Sequence, residues 1–573
     1  MKDLSRADLV IRNARVLNSY IKKFIDADIF IKDGRFLYID TKKQNEMTAD
    51  EEINATGKYI IPGLIDIHMH IESSLVTPRA FADYTVSRGL TTIVSEPHEI
   101  ANVCGKAGIK AMIKDGQKAP YDVYYAIPSN VPIMKEYETS GAELTCNDML
   151  ELKDTEGVWC LGEVMNYKEI IGENVSEVGK FIEKVHEEDP NYILEGHCPQ
   201  LKDADLAKFL YRGIASDHCE HDLEEIRQRI ENGMFVQIQD MMLKKEIIDY
   251  IIDNDLYEYF SFVTDDTFPD VLVNSGHLDN IVRKAIRLGM KPEYAIYCAT
   301  YTPAVRMNMR DRGVIVPGKL ADFLIINDPE QLDVQATFKR GRKIYDISTG
   351  TVKQNYSLGN EFENTVKISV PDTGKFRVYV PGNNRSVSVR VMEVSRNTNV
   401  TKEKTVMMRV IDNQLQWQET DCRLVTVFER HGNNGNISYG FATGDCLKTG
   451  AVASSLSHDS HNLIVMGSNE EDMQEAVKAV IEMQGGIVSV LNGKITGTLA
   501  LPVAGLMSNR SVEETAEDFV RIRQALEVQG YVHRNTVMNF CLLALTCIPY
   551  LKLTDKGYLD TENIIPVSLF EEI

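Results

Sequence analysis

The chain has 573 residues, with 43% apolar and 25% charged residues and a formal net charge of −22 at pH 7. That length exceeds one ordinary domain and predicts two or three, each long enough to bury a core. So acidic a chain lacks the basic face that nucleic acid or an anionic membrane selects, so neither is an expected partner.

No apolar stretch reaches the ~20 residues of a membrane span, "NFCLLALTCIPYL" being the nearest, and the N-terminus carries no apolar signal core. Ten cysteines are scattered without a C-x-x-C pair. They read as reduced thiols of a cytoplasmic protein. A chain of this size and acidity is expected to form a homodimer or higher homo-oligomer.

Residues 8–60 alternate apolar and polar positions between Gly and Asp turns, in "DLVIRNARVLN", "ADIFIKDGRFLYID" and "GKYIIPG", and predict a small β-unit. From 61 to about 300, eight short β-rich runs recur at long intervals: "LIDIHMHIE", "TTIVSEPHE", "DVYYAIPSNVP", "GVWCLGEVMNY", "NYILEGHCP", "GIASDHCE", "MFVQIQD" and "FSFVTDD". Helical patterns separate them. Strands alternating with helices imply a parallel sheet, and eight imply a closed, TIM-like (β/α)8 barrel. "RGVIVPGKLADFLIIND" then returns to strand character. Residues 1–60 and 310–350 are therefore expected to form one small β-sandwich flanking a barrel of residues 61–309.

The stretch 351–400, with "PDTGKF" and "PGNNRS", reads as a turn-rich linker or boundary. Residues 401–573 read as a further α/β domain. In "SNEEDMQEAVKAVIEMQGG", Ser468 and Glu471 predict a capping box. Met473, Ala476, Val477, Val480 and Ile481 form one apolar face, and Gly485 and Gly486 end the helix.

Active sites of such barrels lie at the C-terminal ends of the strands. There the sequence places His68 and His70 (first strand), His98 (second), Glu163 (fourth), His197 (fifth), His218 (sixth) and Asp265 (eighth). Residues i and i+2 of a strand point to one side, so His68 and His70 can face one metal. Four imidazoles and two carboxylates suit two borderline divalent cations with one carboxylate bridging. Each residue alone has a plainer reading. His-x-His occurs by accident on surfaces and in cores, a lone His197 is structural, and Asp265 beside Asp266 is a helix N-cap. Glu163 resists that treatment, because an unpartnered carboxylate after an apolar run is costly. The set as a whole reads as a metal site.

Of the remaining histidines, His186 falls on a solvated helix face, His533 in a loop-like stretch, and His221 reads as a helix-start residue. His277 either lines the site or caps a helix. His458 and His461, in "SLSHDSHN", either supply a wall of the site or belong to an oligomerisation or lid module.

In this order, "PGLIDIHMHIESS", "EPHEI", "GEVMNY", "EGHCP", "SDHCE" and "TDD" resemble the amidohydrolase superfamily, and within it the bacterial adenine deaminases. "GAVASSLSHDSHNLIVMGSNEEDM" and "LALPVAGLMS" resemble that family's C-terminal domain, and the likeness spans essentially the whole chain. The resemblance implies one metal held by His68, His70 and Asp265, and a second held by His197 and His218, with Glu163 bridging. The metals it implies are Mn²⁺ or Fe²⁺, with Zn²⁺ as the alternative, because imidazole and carboxylate ligands do not separate them.

The implied reaction is attack of a metal-activated hydroxide on C6 of a purine, converting adenine to hypoxanthine and ammonia. Asp265 would move the water's proton, His98 would be a second proton-handling group, and Glu99 would stand behind it. Candidates to contact the substrate are Glu72, Ser129, Asn130, Gln239, Asp240 and His277. Three departures bear on specificity: Gln239 and Asp240 stand where adenine deaminases commonly carry Arg-Glu, Asn130 where they carry Cys, and Glu96 where they carry Asp. An amide does not fork as a guanidinium does. An N6-substituted adenine or another amino-heterocycle is therefore the alternative substrate. A non-catalytic scaffold is the remote alternative, since such proteins lose ligands and here every position is filled.

Overall fold

The computed structural model describes residues 4–172, 176–350, 355–382 and 385–571. Eight strands carry the predicted runs: Leu64–Met69, Leu90–Ser95, Asp122–Ile127, Val158–Val164, Leu194–Gly196, Ser216–Asp217, Phe235–Ile238 and Phe260–Phe262. The first five form one parallel arc and the last three another. The arcs are joined by bonds that include Ala215 N–H to the Leu194 carbonyl (3.5 Å), Gly196 N–H to Ser216 Oγ (3.2 Å) and Ser216 Oγ to Glu195 Oε2 (2.9 Å). On the far side the ring closes where Asp265 N–H donates to the His68 carbonyl at 3.1 Å. The fold is the predicted (β/α)8 barrel.

Its strands read as continuous apolar runs because helices cover them outside and side chains fill them inside. Ile65, Ile67, Val94, Ala126, Cys160 and Val263 pack the interior with Met307 and Met309. The covering helices show the matching periodicity. In Leu278–Arg287 the buried Leu278, Ile281, Val282 and Ala285 recur at i, i+3, i+4 and i+7.

Before and after the barrel, segments distant in sequence share one eight-stranded sheet. Tyr59–Pro62 runs parallel to Arg6–Asn18 and antiparallel to Phe323–Ile326, with Ile60 opposite Ile325. Ile11, Val16, Ile29, Phe36, Phe323 and Phe338 form their common core.

The stretch 351–400 is more than a connection, although 351–354 and 383–384 lie outside the described residues. Ser386–Ser395 pairs antiparallel with Thr398–Ile411 and parallel with Ile437–Gly444, inside a nine-stranded sheet. Val387, Val389 and Val391 are buried and alternate with the half-buried Ser388 and Arg390, the period of a strand. The turn-rich flanks had masked that alternation.

Two helices, Glu470–Glu482 and Val512–Val528, belong to the same C-terminal unit. The first starts one residue later than the capping-box reading placed it. Asn469 is the N-cap and accepts from Asp472 N–H, while Ser468 bonds the Gly450 carbonyl with both its N–H (2.8 Å) and its Oγ (3.2 Å). Met473, Ala476, Val477 and Val480 are buried as expected, and Ile481 is half-buried. The second helix docks the unit onto the rim of the barrel. Phe519 stacks on Phe268 at 4.9 Å, Arg523 pairs with Asp270, and Ser508 N–H donates to the Leu75 carbonyl at 2.7 Å. Among the described residues no helix is long and apolar enough to cross a membrane.

Candidate metal centre

All six predicted ligands converge at the C-terminal mouth of the barrel. Glu163 divides its oxygens between two sides. Oε2 faces His197 Nδ1 at 2.8 Å and His218 Nε2 at 3.0 Å. Oε1 faces His70 Nε2 at 3.4 Å and His98 Nδ1 at 3.5 Å. Asp265 Oδ1 lies 3.3 Å from His70 Nε2 and 3.6 Å from His68 Nε2. His68, His70 and Asp265 form one group whose ligand atoms could hold a cation; His68, Glu163 and His218 form another.

The state of the ring nitrogens tests whether a cation fits. His70 Nδ1 is 3.1 Å from the Glu96 carbonyl, which can only accept, so Nδ1 carries the proton and the Nε2 lone pair faces the mouth. His68 Nε2 is buried without a hydrogen-bond partner. His197 Nδ1 and His218 Nε2 stand 3.0 Å apart, both turned to one carboxylate oxygen. Convergent imidazole nitrogens and carboxylate oxygens, with His68 Nε2 left without a hydrogen-bond partner, are the donor set of a divalent cation. Burial opposes charge throughout this cluster, yet the groups polarise one another. His218 holds Glu163, and His68 and His70 hold Asp265, well below the usual carboxylate range.

The backbone at Asp265 is left-handed (φ 55°), a conformation short polar side chains tolerate best. Its carboxylate is fixed by Gln239, whose Nε2 donates to Asp265 Oδ2 (3.0 Å) and to the His218 carbonyl (2.9 Å). Glu163 is held from behind, its N–H donating to Glu96 Oε2 at 2.7 Å. That approach needs Gly162, where a Cβ would lie 2.5 Å from the Glu96 carboxyl carbon. Asp217 ties the fifth and sixth strand ends together. Its Oδ1 accepts from Cys198 and Cys219 N–H (3.3 and 3.2 Å), and its Oδ2 meets Arg229 Nε (2.6 Å) and His221 Nε2 (2.7 Å). His221 is therefore a fully buried partner of Asp217 and not a helix-start residue; Asp222 caps that helix.

The expected substrate contacts divide. Glu72 is buried; its Oε1 accepts from Ile100 N–H (3.3 Å), its Oε2 has no hydrogen-bond partner, and burial pushes its carboxyl up to about 7. Ser129 Oγ sits 2.5 Å from the Glu163 carbonyl and 2.6 Å from Asn130 Oδ1, and Asn130 Oδ1 accepts from Asn166 N–H, so this pair secures the backbone behind Glu163. His277 neither lines the mouth nor caps a helix with its side chain. It is buried behind the first strand end, bonded to Thr264 Oγ1 (2.9 Å), and burial lowers it to about 3. Asp240 is exposed and pairs with Lys284 on the surface, because a 3₁₀ turn, Asp240–Met242, breaks the strand alternation directly after Gln239.

His98 opens the helix His98–Gly116, with Nε2 3.4 Å from Glu99 Oε1. Glu99 in turn meets two residues of the C-terminal unit, His458 Nδ1 at 2.8 Å and His461 Nε2. Asp459 Oδ2 lies 3.8 Å from His98 Nε2. "SHDSHN" thus reaches the mouth. Sequence reasoning missed Asp459, Asp217 and Arg229, and gave Glu96 no role. Glu96 had a visible signal as a strand-end carboxylate two residues before His98; Asp217 and Arg229 had none, because their partners are set by the folded chain.

A family model described as "Amidohydrolase family" matches residues 59–344, and one described as "Adenine deaminase C-terminal domain" matches residues 398–564. An adenine deaminase of Clostridium perfringens is 42% identical over 99% of this chain and 100% of its own length. Adenine deaminase 2 of Shouchella clausii is 40% identical over 98% of this chain and 99% of its own. An adenine deaminase of Thermosipho melanesiensis is 34% identical over 99% of this chain and 97% of its own. A barrel mouth lined by metal-ligand chemistry, a matching C-terminal domain and full-length likeness identify the chain as a member of the adenine deaminase family of the amidohydrolase superfamily.

Proposed function

We propose that the chain hydrolyses adenine, water replacing the 6-amino group to give hypoxanthine and ammonia. His68, His70 and Asp265 would hold one divalent cation, His197 and His218 a second, and Glu163 would bridge them; Mn²⁺ or Fe²⁺ are the first candidates, with Zn²⁺ the alternative. Such cations supply Lewis-acid activation that makes water nucleophilic near neutral pH. Asp265, steadied at Oδ2 by Gln239, accepts a proton from the attacking water at its carboxylate and returns it to the departing nitrogen. His98 presents Nδ1 to the mouth and Nε2 to Glu99, so one ring nitrogen handles a proton while the other is anchored. Glu72, Ser129, Asn130 and Gln239 would shape the pocket, Asn130 and Ser129 by holding the Glu163 segment.

The observation that carries the reading is the division of the Glu163 oxygens between His197 with His218 on one side and His70 on the other, in a chain whose full-length relatives are named adenine deaminases. The test is ammonia release from a panel of aminopurines by Mn²⁺-loaded protein, with bound metal measured on the same preparation. Hypoxanthine from adenine is the expected product. Methylamine from N6-methyladenine with no turnover of adenine would overturn the reading. All ten cysteines are free thiols, in keeping with the reducing cytoplasm proposed as the place of action. A symmetric homo-oligomer is the proposed assembly.

A further inference from the structure

A second carboxylate–imidazole cluster lies outside the proposed ligand set. Glu99 Oε1 stands between His458 Nδ1 (2.8 Å) and His98 Nε2 (3.4 Å), and Glu99 Oε2 meets His461 Nε2. Glu99 and His98 belong to the barrel, while both other imidazoles come from the C-terminal unit. Glu99, His458 and His461 also group closely enough to hold a cation. The far nitrogen of His461 argues against that use. Its Nδ1 accepts the Ser457 N–H at 3.3 Å, so the ring proton sits on Nε2 and points at Glu99. A metal-bound imidazole instead donates from its second nitrogen, as His70 does to the Glu96 carbonyl.

The loop carrying these histidines is itself clamped. Arg430, fully buried, donates to the carbonyls of His461, Thr365 and Ala504, and its own N–H donates to Asn462 Oδ1 at 3.2 Å. His431 Nε2 is 2.8 Å from the Ser460 carbonyl. These bonds fix the backbone on either side of His461, so the direction of its Nε2–H is set by the C-terminal unit.

We propose that His461 and His458 are positioning residues that hold the Glu99 carboxylate against His98, so that the reaction centre of the barrel is complete only with the C-terminal unit in place. With Glu99 fixed, His98 keeps Nε2 toward it and Nδ1 toward the mouth, 3.5 Å from Glu163. The kinetic consequence rests on the adenine reading above; the geometric one does not.

The test compares full-length, Mn²⁺-loaded native protein with His461→Ala, His461→Gln, His458→Ala and His458→Asn. A Gln amide can offer an N–H near the place of Nε2, and an Asn amide near that of Nδ1. Loss of proton positioning in His461→Ala should lower kcat on adenine by on the order of 10²-fold. KM should stay within about threefold and bound Mn²⁺ unchanged, while His461→Gln recovers about tenfold of the loss. Crystal structures should show Glu99 turned away from His98 in His461→Ala and returned in His461→Gln. If His461→Ala does not fold, the His458 pair carries the same comparison. An alanine variant with kcat within about threefold of native overturns the proposal. So does a Glu99 that has not moved, and so does loss of a bound cation, which would make the cluster a metal site. Should native protein leave adenine intact, the functional reading fails while the position of Glu99 still decides this one.

Discussion

Around Glu163 and around Glu99 the protein repeats one composition, a buried glutamate whose two oxygens face imidazoles from separate segments. The difference lies in the second ring nitrogen. At the Glu163 cluster His70 spends its proton on the Glu96 carbonyl and His68 Nε2 has no hydrogen-bond partner, so lone pairs converge. At the Glu99 cluster His461 accepts a backbone N–H on Nδ1, so a proton converges. Residue type and distance do not separate a cation site from a hydrogen-bonded clamp; the tautomer does.

The sharpest way to break this contrast is to neutralise each glutamate. Glu163→Gln removes the carboxylate shared by both sides and should lower turnover by about 10³-fold or more. Bound metal should fall with it. Glu99→Gln should retain its cations and lose on the order of 10²-fold in kcat. Metal analysis beside steady-state kinetics reads both, and equal metal loss in the two variants would erase the distinction.

Next in size is the support beneath the first cluster. Burial would raise the Asp217 carboxyl, but His221 and Arg229 hold it well below the usual range. Asp217→Asn leaves Arg229 buried beside a neutral amide and should cost about 3–5 kcal/mol, read from denaturant midpoints. A depressed carboxyl contributes its stability above its unfolded value and loses it as pH falls toward the folded one. The deficit of the variant should therefore be full at neutral pH and shrink only below about pH 4.

Much of the first cluster was legible because its ligands sit at strand ends, where a period of two and a barrel order give each residue a direction. The sixth strand shows how thin that signal is: Ser216–Asp217 spans two residues, and only the motif around His218 marks it. The second cluster was only half legible. Glu99 and "SHDSHN" are separated by more than 300 positions, and nothing in either stretch encodes that they touch. The helix after "MGSN" is capped by Asn469 and not by Ser468 because Ser468 is committed to Gly450, a partner set by the folded sheet.

Gln239 and Asp240 bring the contrast to two adjacent residues. Gln239→Leu removes the donor on Asp265 Oδ2, a hydrogen bond to a charged group worth about 1.5–3 kcal/mol, and should lower kcat about tenfold or more. Its metal content should hold, since the oxygen turned toward His68 and His70 is Oδ1 and not Oδ2. Asp240→Ala removes an exposed pair with Lys284, an interaction worth about 0–1 kcal/mol. Its kcat and KM should match the native enzyme, with a melting temperature shifted by no more than a surface substitution allows. The two side chains are neighbours in sequence, and the 3₁₀ turn between them sends one into the mouth and the other to solvent. A specificity change on replacing Asp240 would mean that this turn rearranges when substrate binds.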